Sequence, residues 1–278
     1  MNLADPGSLK AFLARHGLLA RKRLGQHFLC SAEVVESIVA ATRACNGVLE
    51  IGPGPGVLTG PLSQIADRVI ALELDPRMVV ALAESAPRAA VIEGDALRED
   101  LAALLERLPR PRAVVSNLPY YITGPLLTRI AEAKAGWDKA ILMMQAEVGE
   151  RVVAGPGTPA RGSLSVFLQA QFEIEAVARA PAEAFLPPPK VDSVVLAFEP
   201  RPSVLSADEQ TALFRLVRTA FRMPRKTLVN NLKTGFGLGR ERALAILASG
   251  GLAERARPQE LSLDQWIGLS AAVKSAEQ

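Results

Sequence analysis

Cysteine is almost absent from this sequence, and so is any long apolar run. Cys30 and Cys45 stand alone among 278 residues. They are too few and too irregularly placed for a disulfide framework or a zinc site, so two reduced thiols and no metal centre are expected. No uncharged apolar stretch reaches the roughly 18–20 residues that a membrane span needs. The N-terminal stretch also lacks a signal-peptide core, so a cytoplasmic protein with no membrane partner is expected. Internal repeats and low-complexity tracts are missing too. Acidic residues are missing unevenly. None occurs from Pro6 to Ala32, where Lys10, Arg15, Arg21, Lys22 and Arg23 lie. None occurs from Gln210 to Arg240, where Arg215, Arg218, Arg222, Arg225, Lys226, Lys233 and Arg240 lie. In a chain of net charge only +3, that segregation suits the phosphate backbone of a nucleic acid, although a solvated face has the same composition.

What remains is an ordinary globular composition, 49% apolar and 22% charged, long enough for one large domain and one small one. After the basic start, Ser31 caps a helix running to about Arg43. Short apolar runs then alternate with helical patterns. Strands are expected at Val48–Ile51, Val69–Glu73, Ala90–Ile92, Ala113–Ser116 and Ala140–Met144. Helices are expected between them at Val57–Ala66, Pro76–Ser85, Glu99–Arg107 and Gly124–Ala133. That alternation argues for a doubly wound α/β sheet, which Phe172–Ala178 and Val191–Phe198 extend as two further strands. Glu199 to Ser203 has the character of a linker, and only helical patterns follow. The layout expected is a basic arm at 1–20, an α/β domain at 21–200 and a small helical domain at 206–278.

Chemistry begins at Glu50-Ile51-Gly52-Pro53-Gly54-Pro55-Gly56, where the first strand turns into a helix. Glycines there let the backbone approach a ligand, though a tight strand–helix turn needs them as well. The Gly-x-Gly-x-Gly form with an acid two residues ahead suits a ligand without phosphates, such as the cationic methionine portion of S-adenosylmethionine. Glu73 ends the second strand about twenty residues on, where a carboxylate can accept from both ribose hydroxyls. Asp95 follows the third strand and can accept from an adenine amino group. Asn117-Leu118-Pro119-Tyr120 ends the fourth. An adenine amino group is a poor nucleophile because its lone pair is conjugated into the ring. The Asn117 side-chain oxygen and the Leu118 carbonyl can hold its hydrogens, Pro119 stiffens the turn, and Tyr120 offers a stacking face.

Together with Leu24-Gly25-Gln26-His27-Phe28-Leu29, the run Phe185 to Val194 and Phe221-Arg222-Met223-Pro224-Arg225-Lys226-Thr227-Leu228, these motifs make the chain resemble the KsgA family of 16S ribosomal RNA adenine dimethyltransferases. The likeness covers nearly the whole chain. It implies a Rossmann-like S-adenosylmethionine-dependent methyltransferase domain with a small C-terminal all-helical domain. It also implies dimethylation of two adjacent adenosines near the 3′ end of 16S ribosomal RNA in the small subunit, and a part in small-subunit maturation. Carried over by position, His27, Leu29, Gly52, Glu73, Asp95 and Asn117 bind the cofactor, and Asn117 to Tyr120 (Asn117, Leu118, Pro119 and Tyr120) are catalytic. Tyr120 faces the target base, and Phe185 is a candidate second face for it or else a core aromatic. By their spacing alone, Arg215, Arg218, Arg222 and Arg225 fall near one helical face, where Arg218 and Arg222 are expected to hold RNA. His27 stands where the family commonly has Asn, Tyr121 replaces a common Asn, and Met223-Pro224 interrupts a usually basic run. A monomer is expected. The alternatives are a dimethylase of 23S ribosomal RNA of the antibiotic-resistance type, an assembly checkpoint factor, and a nicotinamide-dependent oxidoreductase.

Overall fold

A computed structural model describes residues 2–21, 25–203 and 205–277 of the chain. The first helix, α1 (Pro6–Arg15), precedes β1 (Phe28–Leu29), which pairs antiparallel with β8 (Phe185–Leu186) as a separate ladder. The other strands form one seven-stranded sheet: β2 (Gly47–Ile51), β3 (Arg68–Glu73), β4 (Ala90–Glu93), β5 (Arg112–Asn117), β6 (Lys139–Gln145), β7 (Phe172–Ala180) and β9 (Ser193–Pro200). Their order is β4-β3-β2-β5-β6-β9-β7. Strands β2 to β6 pair in parallel, and β9 is antiparallel to β6. Every residue of β2 is buried, as an inner parallel strand with both faces covered requires.

Between the strands run α2 (Ala32–Thr42), α3 (Thr59–Ile65), α4 (Pro76–Ser85), α5 (Leu101–Glu106), α6 (Thr123–Glu132) and α7 (Ala146–Val153). Their starts follow local chemistry. Ser31, Asp75 and Asp100 each accept a main-chain N–H in the first turn of α2, α4 and α5. The remaining helices are α8 (Ser163–Gln169), α9 (Ala207–Ala220), α10 (Leu228–Phe236), α11 (Arg240–Ser249) and α12 (Leu263–Glu277). Among the described residues, no helix is long and apolar enough to cross a membrane.

The chain divides into two compact units, residues 1–149 with 173–200 and residues 150–172 with 201–278. This differs from the expected layout in four ways. First, residues 150–172 leave the α/β unit. Val166 of α8 packs with Leu213, Val217 and Trp266 in the core of the helical unit, and Arg201 N donates to Gln171 O at 2.8 Å. Second, the N-terminal stretch is no free arm. Asp5 caps α1 by accepting from Ser8 N at 2.7 Å, Leu9 and Phe12 are buried in the first core, and Arg15 and His16 both bond Glu84 of α4. Third, Glu199 and Pro200 finish β9 instead of starting a linker. Fourth, α9 stops at Ala220, so Arg222 and Arg225 lie beyond it and share no helical face with Arg215 and Arg218. Lys22 and Arg23 of the basic stretch, and Leu24 of the hexapeptide, lie outside the described residues.

Candidate active site

β2 has β3 on one side and β5 on the other. The chain therefore winds away in both directions from this point, which opens a crevice beyond the strands' C-terminal ends. A cavity sits there, lined by Gly52, Glu73, Asp95, Asn117, Leu118, Pro119 and Tyr120, by Gln26 to Leu29, and by Glu50, Leu74 and Tyr121. All of these belong to the α/β unit.

The glycine turn supplies the floor. Gly52 has φ +69°, and its N donates to Leu72 O at 2.9 Å. A Cβ there would meet no atom within 4 Å, so the backbone is open on that side. Gly56 has the opposite reason for being glycine. At φ +92° its missing Cβ would run into Ser85 Oγ and lie 3.1 Å from Leu82 Cδ2, so it lets α4 pack close.

Glu73 ends β3, and Asp75 and Asp95 stand two residues past the ends of β3 and β4. Glu73 is 5% exposed. Its Oε2 accepts from Gly54 N at 2.9 Å and its Oε1 from Asp75 N at 2.8 Å. Burial pushes its carboxyl up, against the pull of those N–H groups. Those bonds use one acceptor site on each oxygen and leave the others available. Asp75 is held below the usual carboxylate range, chiefly by its hydrogen bond from Arg77. Asp95 Oδ1 accepts from Leu97 N at 3.0 Å, and its Oδ2 lies 3.5 Å from Arg98 Nε.

At the end of β5, Asn117 Nδ2 donates to His27 O at 3.1 Å. Leu118 N donates to Met143 O at 2.9 Å, anchoring the turn on β6. The Tyr120 hydroxyl shares a 2.7 Å hydrogen bond with Ser193 Oγ, and its ring stacks with His27 at 5.6 Å between centroids and 22° between planes. His27 Nδ1 lies 2.7 Å from Pro187 O. A carbonyl only accepts, so Nδ1 carries the proton.

His27, Leu29, Gly52, Glu73, Asp95 and Asn117 to Tyr120 thus converge on one cavity. Phe185 does not. Paired with Leu29, it is 2% exposed in the core and is not among the residues that line the cavity. Arg218 and Arg222 lie in the helical unit and are exposed. Three features are not legible in the sequence: the Tyr120–Ser193 bond, the position of Tyr121, and the burial of Glu50 with an Oε2 that has no hydrogen-bond partner among the described residues. Ser193 lies within the run Phe185 to Val194, but its pairing depends on how β9 sits against β6.

The ribosomal RNA adenine dimethylase family model matches residues 17–274. The ribosomal RNA small subunit methyltransferase A of Levilactobacillus brevis is 38% identical over 282 residues, covering 97% of this chain and 95% of that protein. The protein of the same name from Bacillus mycoides is 37% identical over 284 residues, covering 98% and 97%. Among solved structures, a dimethyladenosine transferase from Plasmodium falciparum has a TM-score of 0.74 at 26% identity, covering 87% of this chain and 96% of that one. The 23S rRNA methyltransferase ErmE gives 0.69 at 26% identity, covering 89% and 99%. On these matches, which span nearly its full length, the chain belongs to the ribosomal RNA adenine dimethylase family.

Proposed function

We propose that this chain converts two adjacent adenosines near the 3′ end of 16S ribosomal RNA to dimethyladenosine within the small ribosomal subunit, as a step in that subunit's maturation. Adenine dimethylation of ribosomal RNA with S-adenosylmethionine follows from family membership. A cytoplasmic, monomeric enzyme is the accompanying expectation.

The observation that carries the residue assignment is the gathering of Gly52, Glu73, Asp95 and Asn117 around one cavity at the ends of adjacent parallel strands. The site fits the cofactor. It offers an open glycine backbone, a buried carboxylate with acceptor capacity to spare, and a second carboxylate one strand over. When bound, S-adenosylmethionine supplies an electrophilic methyl group on a sulfonium. In this reading Glu73 accepts from the ribose hydroxyls and Asp95 from the adenine amino group. Gly52, His27 and Leu29 enclose the methionine portion.

Asn117 and Leu118 do the orienting work on the substrate. The Asn117 amide gives its N–H to His27 O, which leaves Oδ1 and the Leu118 carbonyl as acceptors for the two hydrogens of the target amine. Held so, the nitrogen lone pair is turned out of conjugation and toward the methyl carbon. Tyr120 stacks on the base, braced by Ser193. Arg218 and Arg222 hold RNA phosphates.

Incubation with unmethylated small subunits, or with large subunits, and labelled cofactor tests the reading. Label in two neighbouring adenosines of the small-subunit RNA is expected. Label confined to large-subunit RNA would favour the 23S reaction instead.

A further inference from the structure

Two tyrosines follow each other at the cavity, and the structure treats them differently. Tyr120 is fixed, hydrogen-bonded to Ser193 and stacked with His27. Tyr121 is 53% exposed, and among the described residues no other aromatic ring is as open. A single exposed ring is ordinary on a protein surface. Tyr121 does not stand on a random surface. It lines the cavity, together with Gly25, Glu73 and Asp95. Gly25 has φ +57°, and a Cβ there would lie 3.3 Å from Tyr121 Cδ1, so a bare stretch of backbone supports the ring on one side. Partial burial, and then the nearby Asp95 and Glu73 carboxylates, push its phenol up. The hydroxyl thus sits in the field of both acids. Among the described residues, no aromatic group is stacked on this ring.

We propose that Tyr121 closes over the adenosine half of the bound methyl donor and sets how long the donor stays. This rests on the reading of the cavity as the S-adenosylmethionine site. The consecutive tyrosines then divide the work, Tyr120 facing the base to be methylated and Tyr121 the adenosine of the cofactor. An aromatic face is suited to this because an adenine ring can stack on it whatever its in-plane orientation.

The test is calorimetric titration of wild type, Tyr121→Asn and Tyr121→Phe with S-adenosylhomocysteine and with 5′-methylthioadenosine, which lacks the amino-acid half. Dissociation rates are followed by stopped flow. Tyr121→Asn should bind both ligands about 5- to 150-fold more weakly, the range expected for one lost aromatic stack. The loss should appear as faster dissociation. Tyr121→Phe should stay close to wild type, and all three proteins should melt alike, since the ring is half in solvent. Unchanged affinity of Tyr121→Asn for both ligands would overturn the inference. So would a loss seen only with S-adenosylhomocysteine, which would put the ring over the amino-acid half, or a Tyr121→Phe as weak as Tyr121→Asn. A wild-type protein that binds neither ligand would refute the cofactor reading itself, and the inference with it. Normal wild-type binding with an unaffected Asn variant would refute the inference alone.

Discussion

The side-chain amide of Asn117 donates to the main-chain oxygen of His27 at 3.1 Å. Because that oxygen can only accept, the bond orients the amide: nitrogen toward His27, oxygen left for the substrate. Asn117→Ala should therefore lower single-turnover methyl transfer by about 100-fold or more while leaving affinity for the small subunit nearly intact. Asn117→Asp should fare little better, since a carboxylate has no hydrogen to give His27 O and sets two acceptors face to face. Single-turnover rates and subunit binding measured on the same preparations check this. Equal losses in both would mean that Asn117 only holds the fold.

Tyr120 separates ring from hydroxyl. Tyr120→Ala should cost about 1–3 kcal/mol of base stacking. Tyr120→Phe should keep much of the activity, losing only the brace to Ser193. Ser193→Ala removes the same brace from the other side and should match Tyr120→Phe. Methylation rates for the three variants decide the point, and a Phe variant as inactive as Ala would contradict the stacking role.

The sheet and its strand-end residues are legible because parallel strands are short and apolar, and each hands its last residue to the crevice. Val69 to Glu73 and Ala113 to Asn117 are of this kind. The α1 helix escapes that reading although its signals are local: Asp5-Pro6 at the start, then Leu9, Phe12 and Leu13 at steps of three and four. The lack of acids there points to charge and masks that spacing. Phe185 cannot be placed from sequence, since only its pairing with Leu29 decides which way a two-residue strand faces. The end of α9 is hidden as well. Arg215, Arg218, Arg222 and Arg225 keep helical spacing, but the chain turns after Ala220 before Pro224 is reached. Residues 150–172 resemble the middle of the α/β unit because nothing in their composition marks which core they join.

Glu50 gives a pH signature. It is 2% exposed. Burial raises its pKa from 4.5 to about 8, with the Glu73 carboxylate adding to the rise and Thr59 opposing it. Between those values the folded protein keeps a proton that the unfolded chain has lost. The stability of the ligand-free protein should therefore fall as pH rises from 4.5 to 8 and level off above. Glu50→Gln cannot ionise. Relative to wild type it should gain stability steadily over this range, by a total on the order of a few kcal/mol. Any offset from the new amide is independent of pH, so the slope is the test. Urea unfolding from about pH 4 to about pH 9 brackets the transition, and a flat difference would mean Glu50 is already ionised in the fold.

In the helical unit, Arg215 is engaged with Glu277 and lies over the Phe236 ring. Arg218 and Arg222 are exposed and have no ion pair among the described residues. Reversing both to Glu should weaken subunit binding and flatten its salt dependence, by about 0.7–0.9 in log–log slope for each phosphate no longer neutralised. Methyl-donor affinity should stay the same. Binding measured across a salt series checks it, and an unaltered slope would place the grip elsewhere.

Whether the cavity at the strand ends holds the methyl donor on Glu73 is read most directly by calorimetric titration of S-adenosylmethionine into wild type and Glu73→Ala. Glu73→Ala also strands the N–H groups of Gly54 and Asp75, so a thermal melt must accompany the titration to confirm that the variant is folded. Affinity weaker by roughly 1.5–3 kcal/mol is expected, the scale of hydrogen bonds lost to a charged acceptor. A folded Glu73→Ala that binds S-adenosylmethionine as tightly as wild type would contradict this role of Glu73.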